Sequence, residues 1–375
     1  MANLQLKDLY DGFRNSDVIK ALALSIENLA SKLTKEIKIM EVCGGHTHAI
    51  MKYGLNQLLP KNIKFIHGPG CPVCVMPKNR IDHAIALANM KDTIIVTLGD
   101  MIKVLGSTGT LQDARAKGAD VRFVYSPMDA AKIASENPDK TVIYIAIGFE
   151  TTTPMTSALV DTVIKQNIKN LFFHINHVLV PPAMRALLDD ETNNIDAFIG
   201  PSHVSVISGS KIYDEFADVY KKPVVVSGFE PVDVMQSVLM LVKQINEGRS
   251  EVEIQYSRCV NHDGNLNAQK LNDKYLEVRE SFEFRGLGEI PSGGLKLKDE
   301  FAFLDAEVIY KDILPHNKCE DHKLCLCGEI LKGKALPNEC KLFGKACTPT
   351  TPIGSCMVSS EGACAAYYKY GISNE

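Results

Sequence analysis

Along the first 250 residues, short runs of β-branched and aromatic residues alternate with longer segments whose apolar positions recur at helical spacing. Runs of the first kind suit strands buried on both faces, and segments of the second kind suit amphipathic helices. The pattern therefore predicts βαβ units around mostly parallel sheets. Eight runs carry the strand signal: 37–42, 63–67, 93–98, 121–126, 141–147, 171–176, 195–200 and 223–228. A turn-like Glu136-Asn137-Pro138-Asp139 divides them into two sets of four. HGPGCPV (67–73) and GPSHVSV (200–206) each follow a strand with a Gly-Pro turn, which suggests an internal repeat. The expected fold is α/β, with two similar Rossmann-like parallel-sheet domains over 35–135 and 136–250, although one eight-stranded sheet fits the same runs. Within residues 1–34, the stretch 16–34 reads as a helix carrying Leu22, Leu24, Ile26 and Leu29, and nothing in it selects the body it packs on.

From residue 251 the pattern changes. Residues 251–260 read as a strand, 266–280 as an amphipathic helix and 281–300 as a Gly-rich irregular stretch, before a loop-rich end studded with cysteines. Residues 251–375 are thus expected to form a smaller α/β domain that binds a metal or an iron–sulfur cluster.

The segments immediately past the strands carry the chemistry. EVCGGHTH (41–48), GPGCPVC (68–74), LGDM (98–101), GFETTTP (148–154), NHVLVPP (176–182), GPSHVS (200–205) and GFEPVD (228–233) all lie just past a predicted strand end. Open α/β sheets bind ligands at that edge, so these groups are expected to converge on one cleft. Gly and Pro there would equally serve as plain turns, but seven polar turns on one edge exceed what turning requires.

At 375 residues the chain has enough material for real cores, so its eleven cysteines are not needed as disulfide staples. No basic-then-apolar leader is visible, and no apolar run approaches the roughly 18 residues of a membrane span, which leads to a cytoplasmic reading. A net charge of −4 with scattered Lys and Arg argues against nucleic-acid binding.

The cysteines gather at the two ends of the chain. Cys43 ends a strand, is followed by two glycines that allow close backbone approach, and has His46 and His48 nearby; a thiolate beside imidazoles suits iron, zinc or copper. Cys71 and Cys74 form a CxxC pair ahead of Pro77 and a predicted helix over 78–90, whose N-terminus would stabilise a thiolate. That spacing fits reversible dithiol–disulfide chemistry, or half of a zinc site completed by Cys43 and His46. The rear cysteines are Cys319, Cys325, Cys327, Cys340, Cys347, Cys356 and Cys364. An iron–sulfur cluster or zinc needs four thiolates, and the long uneven separations from Cys327 to Cys340, Cys347 and Cys364 fit a cluster gripped by loops better than a zinc ribbon. Cys325 and Cys356 are then candidates for a disulfide beside the cluster, with Cys259 and Cys319 incidental. Glu150 is a proton carrier or a helix cap, His177 and His203 are acid–base groups or spacers, and Asp100 and Glu230 carry weaker signals.

Taken together, CGGHTH (43–48), GPGCPVC, GFETTTP, NHVLVPP, GPSHVS, GFEPVD and CKLFGKACTP followed by SSEGACAAYY resemble the HypD family of hydrogenase-maturation factors, in the family's order over residues 41–368. The resemblance implies assembly of the iron–dicyano–carbonyl group of [NiFe]-hydrogenases by a monomer that forms transient complexes. Its partners would be a HypC-type chaperone, which shares an iron ion, and a HypE-type donor of cyanide from a thiocyanate-bearing cysteine. By the same resemblance Cys43 is the principal iron thiolate, with Cys71 and Cys74 as the redox pair and further candidate ligands. The [4Fe–4S] ligands are Cys327, Cys340, Cys347 and Cys364, with Cys325 and Cys356 as relay candidates. An iron–sulfur thiol–disulfide oxidoreductase and a zinc-stabilised binding scaffold are the rival classes.

Overall fold

The computed structural model describes residues 11–316 and 320–371. All eight predicted strands form: β1 (Ile37–Glu41), β2 (Ile63–His67), β3 (Thr93–Leu98), β4 (Asp120–Val124), β5 (Thr141–Gly148), β6 (Leu171–His177), β7 (Ala197–Pro201) and β8 (Val224–Ser227). With β9 (Val252–Ile254) they make two wholly parallel sheets, ordered β2-β1-β7-β8-β9 and β4-β3-β5-β6. The fold is α/β with Rossmann-like parallel sheets, as expected from the sequence.

The strands are shared out differently from the expected division. Residue 135 falls between β4 and β5, which belong to one sheet, and β1 and β2 pair with β7 to β9 instead of with β3 and β4. The chain lays down two strands, builds the whole four-stranded sheet, then returns to set β7 against β1, with Ile39 opposite Ala197. Residues 252–254, expected in the C-terminal domain, extend the first sheet beside β8.

Strands buried on both faces explain the strong strand signal. On β5, Ile143, Ile145 and Ile147 face a core shared with the five-stranded sheet, while Val142, Tyr144 and Ala146 face a second core on the far side. A third core lies under the N-terminal helix Ser16–Ala30, where Ile26 and Ala30 meet Val238 and Leu241 of the helix Pro231–Asn246. That contact places the N-terminal helix on the outer face of the five-stranded sheet. Asn15 caps its start by accepting from the amides of Asp17 and Val18.

The helix expected over 266–280 spans Leu266–Tyr275. Leu276 turns extended and opens β10 (Leu276–Val278), followed by β11 (Ser281–Phe284), β12 (Gly288–Pro291) and β13 (Leu295–Leu297). β11 and β12 form a hairpin whose turn places Gly286 and Gly288 at positive φ, and β10 pairs antiparallel with β13. Strands of three and four residues are too short to show a period, which is why the stretch reads as irregular. None of the described helices is long and apolar enough to cross a membrane.

Candidate functional site

Each parallel sheet has a point where its strand order reverses, between β1 and β7 in one and between β3 and β5 in the other. Loops leaving such neighbours diverge and open a crevice. The two crevices face each other across one cavity of about 350 Å³. Asp100 and Met101 after β3 and Thr151 and Thr152 after β5 line one side; Cys71 after β2 and His203 after β7 line the other. Ser359, Ser360 and Glu361 complete the wall from the far end of the chain. Of the seven strand-end motifs expected to converge, GPGCPVC, LGDM, GFETTTP and GPSHVS line this cavity, and EVCGGHTH, NHVLVPP and GFEPVD do not.

Cys43 lies two residues past β1 and is the N-cap residue of the helix Gly44–Lys52. Its Sγ lies 3.8 Å from Nε2 of His203, so adjacency of β1 and β7 brings together residues 160 positions apart. Two glycines hold it there. A Cβ on Gly70 would lie 2.1 Å from the Cys43 nitrogen, and one on Gly44 would lie 2.3 Å from the Glu361 carbonyl oxygen. Cys43 is only 3% exposed. Burial, and then the Glu361 carboxylate, push its thiol well above the usual range. Only a bound cation or a proton acceptor would bring out the thiolate.

His46 does not turn toward Cys43. Its Nε2 lies 2.9 Å from the Gly228 carbonyl oxygen, its ring stacks on Phe229, and its Nδ1 is buried without a partner. Phe229 also stacks on His203. Burial lowers His46 to about 3 and His203 to about 4, so both rings are neutral, with lone pairs available to a metal or a proton. His48 stands apart, its Nδ1 3.3 Å from the Ser360 carbonyl oxygen.

Cys71 and Cys74 occupy one tight turn, in which the Cys74 amide donates to the Cys71 carbonyl. The helix after Pro77 spans Lys78–Ala88. Cys74 is 1% exposed. Although the hydrogen bond with Cys356 works the other way, the bond to Cys71 and burial push its thiol well above the usual range. Cys356 in turn lies 2.7 Å, sulfur to sulfur, from Cys327, and the Ser355 hydroxyl donates to the Cys74 carbonyl. The front pair is therefore in contact with the rear cysteines.

Of the expected cluster ligands, Cys340, Cys347 and Cys364 share their surroundings with both Cys325 and Cys327, and Cys327 is also in contact with Cys356. Burial, followed by Cys327 and Cys325, raises the Cys364 thiol, and burial pushes Cys325 up to about 12. Cys347 Sγ accepts from the Ile353 amide at 3.3 Å. Among the described residues no three thiols come within 4.8 Å of one another, the span that a single metal ion draws together. The one group that does, His83, His174 and Glu307, is satisfied internally: Glu307 holds Arg80 and Arg279, and the rings bond each other, Asn176 and the Pro315 carbonyl. Cys259 is exposed, and Cys319 lies outside the described residues.

Glu150 accepts at Oε1 from the Val180 amide at 3.0 Å, capping the helix Val180–Leu188 and not the helix next to it in sequence. Its Oε2 and the neighbouring Thr151 hydroxyl are buried without partners, and burial raises its carboxyl to about 7. His177 is a spacer: Nδ1 lies 3.2 Å from the Gly148 carbonyl and Nε2 2.8 Å from the Thr156 hydroxyl.

A family profile described as "HypD: Hydrogenase formation hypA family" matches residues 17–371. The chain belongs to the HypD family of hydrogenase maturation factors. It is similar to the hydrogenase maturation factor HypD2 of Bradyrhizobium diazoefficiens, with 51% identity over 368 residues that cover 96% of each chain. The HypD of Rhizobium leguminosarum bv. viciae is 50% identical over 372 residues, 97% of this chain and 96% of that one. The HypD of Escherichia coli K12 is 45% identical over 364 residues, 96% of this chain and 97% of that one.

The site also includes residues of HypD motifs to which the sequence assigned no role of their own. Glu361 reaches the Cys43 turn only through folding of the C-terminal loop, and Ser359 donates to Asp100 at 3.1 Å. Glu41 and His67 had a legible signal, a charged and a titratable residue at the ends of otherwise apolar strands. Tyr367, which contacts His67, lies in SSEGACAAYY, but nothing in that motif marked the contact.

Proposed function

We propose that this chain is the redox-active scaffold on which the iron–dicyano–carbonyl group of [NiFe]-hydrogenase is assembled. Cys43 is the thiolate that takes the iron, with His203 beside it. A HypC-type chaperone shares the iron, and cyanide arrives from a HypE-type partner as a cysteine thiocyanate. Releasing cyanide from that sulfur needs two electrons, which the dithiol supplies: R–SCN and the Cys71 and Cys74 thiols yield R–SH, cyanide, a Cys71–Cys74 disulfide and one proton.

One observation carries this reading. Cys71 lines the cavity, Cys74 adjoins it, and Cys356 bridges Cys74 to Cys327, so thiols run without a break from the cleft to the rear cysteines. A [4Fe–4S] cluster held there would supply the electrons that reset the disulfide. The surroundings suit such a group. The rear thiols are spread wider than one zinc ion would require, and an amide donates to Cys347. Because Cys327 is in contact with Cys356, we take Cys325, Cys340, Cys347 and Cys364 as the four ligands, with Cys325 replacing Cys327 in the set expected from the sequence. The relay pair is then Cys327 with Cys356.

The test is iron, zinc and sulfide analysis with electron paramagnetic resonance on anaerobically purified protein. About four iron and four sulfide per chain is the expected result. Colourless protein that retains zinc would sink the redox reading.

A further inference from the structure

Glu41 has no exposed surface and three polar partners. Its Oε2 accepts from the Cys43 amide at 3.1 Å, and its Oε1 accepts from the Thr47 hydroxyl and lies 2.6 Å from His67 Nδ1. Two of these partners, the Cys43 amide and the Thr47 hydroxyl, donate to it from the segment that presents Cys43, so the carboxyl serves that segment as an acceptor. His67, itself buried at the end of β2, places Nε2 3.0 Å from the Tyr367 hydroxyl, with the two rings edge to face. Tyr367 lies on the helix Ala363–Tyr370, one turn beyond Cys364. A hydrogen-bonded line thus runs from the helix bearing a rear cysteine to the backbone of Cys43. Burying an ionisable pair costs far more than burying hydrocarbon of the same volume, so packing alone does not account for Glu41 and His67.

We propose that Glu41, His67 and Tyr367 are positioning residues that hold Cys43 and couple it to the helix carrying Cys364. This rests on the reading of Cys43 as the reactive thiol. When that helix shifts, the Tyr367–His67 bond changes first. His67 then changes what it offers Glu41, and Glu41 changes its hold on the Cys43 amide and on Thr47. The same helix is preceded by Glu361, whose carbonyl packs against Gly44, so the coupling has a backbone contact beside the hydrogen-bonded line.

The experiment uses the full chain, purified anaerobically, with Tyr367→Phe, which keeps the ring and removes the hydroxyl. Two quantities are read: the imidazole nitrogen resonances of His67 in histidine-labelled protein, and the rate of Cys43 alkylation by iodoacetamide, resolved by peptide mass spectrometry. The His67 Nε2 resonance is expected to move and the Cys43 rate to change by about threefold or more, the scale of one lost hydrogen bond, with iron content unchanged. A moved His67 resonance with a wild-type Cys43 rate would overturn the coupling, because the line would then end at His67. If Tyr367→Phe loses iron, His67→Gln is read by the same alkylation rate, and a wild-type rate overturns the proposal equally. Alkylation reports on the relay whether or not Cys43 serves maturation. Failure of the functional reading shows separately, as maturation that survives Cys43→Ala.

Discussion

Cys356 Sγ sits 2.7 Å from Cys327 Sγ, on the side of Cys327 that leads to Cys74. A thiol cannot serve that contact and a cluster iron equally well, so the proposed roles of Cys325 and Cys327 are the reverse of those the resemblance implies. Cys325→Ala is expected to lose most of its iron and sulfide, while Cys327→Ala retains about four iron per chain. Anaerobic metal analysis of the two proteins decides it, and the reverse pattern would restore Cys327 to the ligand set.

Cys43→Ala is expected to abolish hydrogenase maturation in cells lacking the native gene while leaving the rear cluster in place. The substitution removes one small buried group, so its stability cost is about 1 kcal/mol. Loss of iron from the rear site would show that the two regions are not separable, contrary to the proposed division of roles.

Gly70→Ala tests whether close backbone approach holds Cys43 in place. Its Cβ would lie 2.1 Å from the Cys43 nitrogen, against backbone that cannot move independently, so about 1–3 kcal/mol of destabilisation is expected, with loss of maturation. Gly99, where a Cβ meets nothing within 4 Å, supplies the control, and Gly99→Ala should unfold within about 0.5 kcal/mol of wild type. Urea titration of both variants makes the comparison. Equal midpoints would remove the steric argument.

Glu150 predicts a pH dependence. Burial raises its carboxyl from 4.5 to about 7, so between those values the folded protein holds a proton that the unfolded chain has released. Stability from this group is therefore full below 4.5, falls as pH rises through the window, and levels off above 7. Glu150→Gln keeps an acceptor for the Val180 amide and cannot ionise. It should be more stable than wild type at pH 8 by about 1–3 kcal/mol and nearly equal at pH 4.5. Parallel urea stabilities of the two proteins across that range would contradict a buried neutral Glu150.

The sequence by itself determined the strands and the motifs at their ends. Ile143 to Ile147 read as a strand because both faces of β5 are buried, and Cys43, Cys71, Thr151 and His203 read as site residues because each comes just after such a run. Strand partners were decided only by the tertiary structure. A parallel strand presents the same backbone groups to any neighbour, so nothing local to β7 says that it pairs with β1 and not with β6, and the division at residue 135 failed for that reason. Cysteine spacing likewise did not report that Cys327 meets Cys356, because loops with no period leave the direction of a thiol unspecified. The contacts of Glu41 with His67 and of His67 with Tyr367 join residues 26 and 300 positions apart, and only folding brings such groups within a hydrogen bond's length.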